Sequence, residues 1–175
     1  MDTQQIDHAL RSNPVTARVF RGVYAADQLP NRDTFELPSA YVANCSDSTS
    51  GGTHWIAFYQ EVPGIMEVFD SYGQPVSGYN PNLVNFTSGL KIIQQIQQIQ
   101  QETSAVCGQY ALFFIFQRAC GLTYSQLIHL FSDNYRANDK ICCQFINQLF
   151  HLTTRVYDAK LLQQVAKEFI KTNLP

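Results

Sequence analysis

His54-Trp55-Ile56-Ala57-Phe58-Tyr59-Gln60-Glu61-Val62-Pro63-Gly64-Ile65-Met66-Glu67-Val68-Phe69-Asp70 is the stretch on which the fold turns. Residues 54–59 and 65–70 are rich in aromatic and β-branched side chains and are split by a Pro-Gly turn signal, the pattern of a β-hairpin. With the turn centred on residues 62–63, paired positions sum to roughly 124–126, so residue 54 faces residues 70–72. His54 and Asp70 should therefore meet across the open end of the hairpin, since cross-strand partners hold their Cβ atoms about 5 Å apart.

Upstream, Ala40-Tyr41-Val42-Ala43-Asn44 reads as a further strand, followed by a polar loop through Gly51-Gly52. Arg21 to Pro38 is dense in turn formers and charges and reads as loop, and residues 2–12 as a short helix ending before Asn13-Pro14. Downstream, the glutamine-rich run Ile92–Gln101 is expected to be an edge strand. From Cys107 to Gly121 the chain turns helical, with Thr103 or Ser104 as cap and an interior apolar on nearly all sides, so this helix should be buried centrally. Helices are expected at 124–132, at 139–150 capped by Asp139, and at 158–172 capped by Asp158. Strands in the middle with helices mostly after them make an α+β domain, and 175 residues suit one domain over residues 1–175.

Composition narrows the function classes. The chain is 45% hydrophobic and 15% charged with a net charge of −2, which excludes a disordered chain and an overall basic nucleic-acid binder. Residues 1–117 carry 5 basic and 10 acidic side chains and residues 118–175 carry 7 and 4. This C-terminal bias reads first as solvated helix faces, with nucleic acid left open as a partner. Five cysteines (Cys45, Cys107, Cys120, Cys142, Cys143) and no apolar leader in residues 1–20 point to free thiols in a reducing, intracellular setting. No stretch has membrane-spanning length, so no membrane partner is expected. No CxxC spacing occurs; Cys142, Cys143 and His151 read as helix packing rather than metal ligands, and no metal is expected.

Cys107 stands where a helix begins, and a helix N-terminus stabilises a thiolate. Gly108 leaves the approach to its sulfur open. From this alone, a nucleophile and a buried thiol opening a core helix are equally good readings. His54 opposite Asp70 tips the balance, because a carboxylate that fixes the imidazole tautomer completes a nucleophile–base–acid set. A glutamine amide upstream of the nucleophile could join the Cys107 N–H as an oxyanion donor. Gln101 is the candidate, with Gln100 and Gln98 competing. Gly51, Gly52, Asn44, Trp55 and Gly108 are the candidate substrate-contacting residues.

Gly51-Gly52-Thr53-His54-Trp55-Ile56-Ala57-Phe58, Val68-Phe69-Asp70-Ser71-Tyr72-Gly73 and Gln101-Glu102-Thr103-Ser104-Ala105-Val106-Cys107-Gly108 together resemble the adenovirus-type (adenain) cysteine proteases. Related enzymes occur in Polinton/Maverick elements and virophages, with the SUMO-specific proteases more distant. Phe20-Arg21-Gly22-Val23-Tyr24 and Tyr41-Val42-Ala43-Asn44 extend the likeness, which spans about residues 18–120. It implies a papain-like core in circularly permuted order, a central mixed sheet flanked by helices. It also implies His54 as general base, Asp70 as its partner, Cys107 as nucleophile, Gln101 as oxyanion donor and Trp55 beside the site. The implied activity is endopeptidase cleavage after glycine, at Gly-Gly or Gly-X-Gly sites. A channel that admits only backbone favours glycine, which has no Cβ. Implied substrates are capsid or core precursor proteins of a virus or virus-like element, cut by a monomer in the host nucleus or virion.

The chain departs from the adenovirus pattern in three places. Asp70 replaces the usual Glu, as in the SUMO-protease branch. Gln101 lies six residues before Cys107, the SUMO-protease spacing and one shorter than in the adenovirus enzymes. No cysteine lies between residues 46 and 106 to hold an activating peptide by a disulfide. A non-covalent activating peptide stays compatible with this pattern, DNA activation is disfavoured by the acidic balance, and the chemistry itself needs no cofactor. A SUMO- or ubiquitin-like isopeptidase and a catalytically silent binding module of the same fold are the competing readings. An acyl-CoA-dependent acetyltransferase with the same residue order would need a basic, phosphate-cradling segment, and none is evident.

Overall fold

The fold is described from a computed structural model covering residues 1–153 together with 164, 167, 168, 171 and 172. The expected helix at 158–172 and its Asp158 cap lie for the most part outside these residues. Five strands form one mixed sheet in sequential order: β1 (Phe20–Tyr24), β2 (Ser39–Asn44), β3 (Trp55–Gln60), β4 (Ile65–Phe69) and β5 (Lys91–Gln94). β1 runs parallel to β2, β2–β3–β4 form an antiparallel meander, and β5 returns parallel to β4. Among the described residues, α-helices accompany the sheet at α1 (Thr3–Ser12), α2 (Pro81–Thr87), α3 (Cys107–Ala119), α4 (Tyr124–Ile128) and α5 (Tyr135–Thr153). This is an α+β arrangement with the strands grouped between helices.

The β3–β4 hairpin forms in the expected register. Ala57 pairs with Phe69, Phe58 with Val68 and Tyr59 with Glu67. Gly64 closes the turn at φ +80°, where a Cβ would be strained. Both sheet faces are covered, which explains why the strands read as nearly continuous apolar runs. Ala40, Val42, Ala57, Tyr59 and Phe69 point toward α1, α3 and α5, while Tyr41, Ala43, Ile56, Phe58, Met66 and Val68 point the other way, toward Leu83 and Phe86 of α2.

α3 is buried around almost its whole circumference, from Tyr110 through Phe116, and it packs across β3, α1 and α5. Phe114 stacks on Phe69 with ring centroids 4.7 Å apart. Near the helix end, Arg118 reaches back to the sheet. Its guanidinium donates to both carboxylate oxygens of Glu67 (2.6 and 3.0 Å) and to Glu61 (2.7 Å), and lies 4.7 Å over the Tyr59 ring. Gly121, at φ +93°, ends the helix.

Several elements differ from the sequence expectation. Residues 21–24, the start of the expected Arg21–Pro38 loop, instead belong to edge strand β1. Its Gly22 marks an irregularity in the pairing with β2. The glutamine-rich segment is a strand only over Lys91–Gln94, because Gln95 onward bends toward the hairpin end: Gln95 Nε2 donates to the Asp70 carbonyl (2.8 Å). Neither Thr103 nor Ser104 caps α3; the helix starts at Cys107 without a side-chain cap, and the Ser104 hydroxyl donates to the Gln101 carbonyl. α5 starts four residues early, its first turn held by Asn134 Oδ1 accepting from Ala137 N–H (3.1 Å). Asp139 is therefore free to accept from Tyr110 Oη (2.9 Å) instead of capping. Among the described residues, no helix is long and apolar enough to cross a membrane.

The buried Arg118–Glu67 pair generates the first expectation. Arg118→Met should cost about 3–5 kcal/mol in urea unfolding because it strands a buried carboxylate. Arg118→Met with Glu67→Met should recover most of that loss. An additive double variant would contradict the coupling.

Candidate active site

The hairpin ends in two residues just outside its ladder. His54 precedes β3 and Asp70 follows β4, and His54 Nε2–H donates to Asp70 Oδ1 at 2.6 Å. Both are buried, Asp70 completely. A buried carboxylate needs several donors, and Asp70 has them. Oδ1 also accepts from Tyr72 N–H (3.0 Å), while Oδ2 accepts from Gln74 N–H and Tyr79 Oη–H (both 2.8 Å). The Tyr72 ring lies against the imidazole at 4.8 Å, tilted by 35°.

Nε2 is committed to Asp70 and the buried Nδ1 has no hydrogen-bond partner, while the Cys107 thiol lies close enough to act on the imidazole. Cys107 opens α3, and the backbone N–H groups of Trp55 and Gly108 lie near enough to favour its thiolate. These groups pull the two titrations in opposite directions. Burial works against a charged His54, but its contacts with Asp70 and Cys107 raise it to about 9. Burial likewise opposes a charged Cys107, yet His54 and the two N–H groups hold it below its ordinary value. The pair therefore favours imidazolium with thiolate. The other thiols go the opposite way: burial pushes Cys45, Cys142 and Cys143 up, and Cys120 to about 12. All five are free.

The remaining expected residues sort into supports and outliers. Asn44 acts on the loop rather than into open space: its Oδ1 accepts from Ser46 N–H (3.0 Å) and Thr53 N–H (3.2 Å). Its Nδ2 lies where a Gly52 Cβ would come within 2.8 Å, so a side chain at position 52 would have to displace the Asn44 amide, whereas Gly51 faces open space. Gly52, Asn44 and Trp55 line a groove of about 340 Å³ together with Asp47 and Ser48. Gly108 is buried, so it does not open the approach to the sulfur. A Cβ there would lie 3.0 Å from Met1 Cβ and 3.3 Å from Ile6 Cδ1. The Trp55 indole, 3.5 Å from the same point, donates to the Met1 carbonyl (3.1 Å).

Gln101 is not brought to the other three. Its amide donates to Thr103 Oγ1 (2.6 Å) and accepts from Arg136 Nε (3.2 Å), on a separate groove with Asp133. Arg136, which comes from the early start of α5, holds it there. Of the competing glutamines, Gln100 is fully buried and its amide is fully used. It donates to Tyr72 Oη (3.0 Å) and the Ser104 carbonyl (2.8 Å) and accepts from Ser71 Oγ (2.7 Å). Gln98 donates to the Gln100 carbonyl (2.8 Å). Tyr72 and Tyr79 were missed in the sequence; a tyrosine two residues after the acid offered the one local signal. Among the described residues, no group of His, Cys, Asp and Glu could hold a metal ion.

Iodoacetamide at pH 7 should alkylate Cys107 well before the other four cysteines, and His54→Ala should abolish that preference, as read by peptide mass mapping. The preference should develop as pH rises through the lowered Cys107 titration. Chemistry that needs the imidazolium should fade as pH rises through about 9. Equal slow labelling of all five thiols would contradict the ion pair.

No family model matches this chain, and no curated protein matches it. Among solved structures, the central domain of the uncharacterized Lpg1148 protein from Legionella pneumophila is similar over 87% of this chain and 86% of that chain, at 14% identity and a TM-score of 0.39. So slight a likeness bears on neither fold family nor function.

Proposed function

We propose that this protein is a cysteine endopeptidase in which Cys107 is the nucleophile, His54 the acid–base and Asp70 its orienting carboxylate. The observation that carries the reading is one constellation: a thiol at a helix N-terminus, an imidazole that acts on it and keeps Nδ1 unpartnered, and a buried carboxylate on Nε2 at 2.6 Å. In the reaction, the Cys107 thiolate attacks the scissile carbonyl and a C–S bond forms. The tetrahedral oxyanion can take the Cys107 N–H, one of the helix-opening donors that lack an intrahelical acceptor. The His54 imidazolium gives its Nδ1 proton to the leaving amine as the C–N bond breaks. A water, losing one proton to His54, then attacks the thioester and frees the thiolate and the new carboxylic acid, which loses its proton to solvent.

The finer reading rests on the sequence resemblance. It is a papain-like core in permuted order of the adenovirus type, with histidine and acid preceding the cysteine helix, acting on glycine-containing sites in capsid or core precursors of a virus-like element. In this reading Gln101 would supply the second oxyanion donor only after leaving Thr103 and Arg136.

The deciding experiment is cleavage of a Gly-Gly and Gly-X-Gly peptide library. Cys107→Ala should lose at least about a thousandfold in kcat/KM, and Asp70→Asn about 10²–10⁴-fold. Activity that survives Cys107→Ala would remove the nucleophile assignment. Preference for a glycine-tailed folded modifier over every peptide would move the reading to an isopeptidase.

A further inference from the structure

Tyr79 belongs to none of the sequence segments that suggested the site, yet its hydroxyl donates to Asp70 Oδ2 at 2.8 Å. Apart from His54, it is the side-chain donor among the four groups on that carboxylate; Tyr72 and Gln74 act through their backbone N–H groups. The Tyr79 ring centroid also lies 6.0 Å from that of His54. The turn that carries Tyr79 is pinned by the next residue. Asn80 Nδ2 donates to Asp47 Oδ1 (2.7 Å), and Asn80 Oδ1 accepts from Asn82 N–H (3.0 Å) at the start of α2. The hydroxyl is thus delivered to Asp70 by anchored backbone.

Resting on the cysteine-protease reading, we propose that Tyr79 is a positioning residue that sets how tightly Asp70 holds the His54 proton, and with it the pH range of the imidazolium–thiolate pair. A carboxylate divides its charge among its donors. Asp70 has no exposed surface, so water cannot replace a lost one. Without the Tyr79 hydroxyl, Oδ2 keeps the Gln74 N–H alone, and the carboxylate becomes a stronger acceptor for the His54 proton.

The other groups facing the pair leave this effect unopposed. Tyr72 lies on His54 from the same connection and Cys107 faces it from α3. Cys45, at the end of β2, feels both Asp70 and Cys107, and burial holds its thiol neutral. Tyr124 of α4 also feels Asp70, while Glu102 and Asp139 act on Tyr72.

The test is Tyr79→Phe in the full chain. Two profiles are followed against pH: Cys107 alkylation by iodoacetamide, and peptide kcat and KM. The wild-type basic limb is expected near pH 9. In Tyr79→Phe it should move up by about one pH unit, with kcat reduced several-fold and KM unchanged. The His54 ring-proton resonance should titrate with the same displacement, which reads the effect without any substrate. Tyr79→Leu lacks the hydroxyl too and should show the same displacement, so the result does not depend on one variant folding well. A fall in kcat and Tm with both limbs unmoved would assign Tyr79 a structural role and overturn the proposal. If wild-type Cys107 labels no faster than in His54→Ala, the protease reading itself fails. If the wild type shows the pair and both variants overlay it, the Tyr79 proposal alone fails.

Discussion

A carboxylate with no exposed surface organises this molecule. Asp70 is buried at the end of β4, where an ionised group survives only if nearly every acceptor position is filled. The chain supplies those donors from two places. His54 arrives from the partner strand of the hairpin, and the Tyr72–Tyr79 turn brings two N–H groups and a hydroxyl. The carboxylate therefore fixes the loop that follows it as well as the histidine beside it. Its carbonyl continues the same task, accepting from Gln95 and Gly73 and so tying the bend after β5 to the site.

The second half of the site is positioned by burial rather than hydrogen bonding. α3 is apolar on almost every side, so it can only lie in the middle of the molecule, with the sheet on one flank and α1 and α5 on the others. That requirement places Cys107, its first residue, beside β3, where the Trp55 N–H favours its thiolate. Arg118 near the opposite end fastens the same helix to Glu67 of β4. One rigid helix thus carries a thiol at one end and a sheet anchor at the other. Gln100 and Tyr72 close the remaining gap, joining the segment before the helix to the segment after Asp70.

Electrostatics follow from this placement. Five thiols share one chain, and four are pushed toward the neutral form by burial. Cys107 is half-buried, as Cys45 and Cys143 are, but the His54 imidazole and two backbone N–H groups act on it. Its different behaviour comes from its neighbours and not from its exposure. The proposed chemistry depends on that contrast.

Local signals sufficed for the hairpin, its register and the meeting of His54 with Asp70, because strand periodicity and a Pro-Gly turn are short-range facts. They sufficed as well for the central helix, whose all-round apolar interior leaves one environment open to it. The glutamines show where such signals end. Gln98, Gln100 and Gln101 are chemically the same, and which of them is buried, saturated or held at a rim depends on the Ser71–Tyr72 segment and on Arg136, remote along the chain. Tyr79 is likewise legible only once the turn before α2 folds back onto Asp70. The sequence by itself determined which residues could form a thiol–imidazole–carboxylate set and that two of them would share a hairpin end. The tertiary structure alone decided which side chains surround that set, since long-range packing, not local preference, chooses the donors of a buried charge.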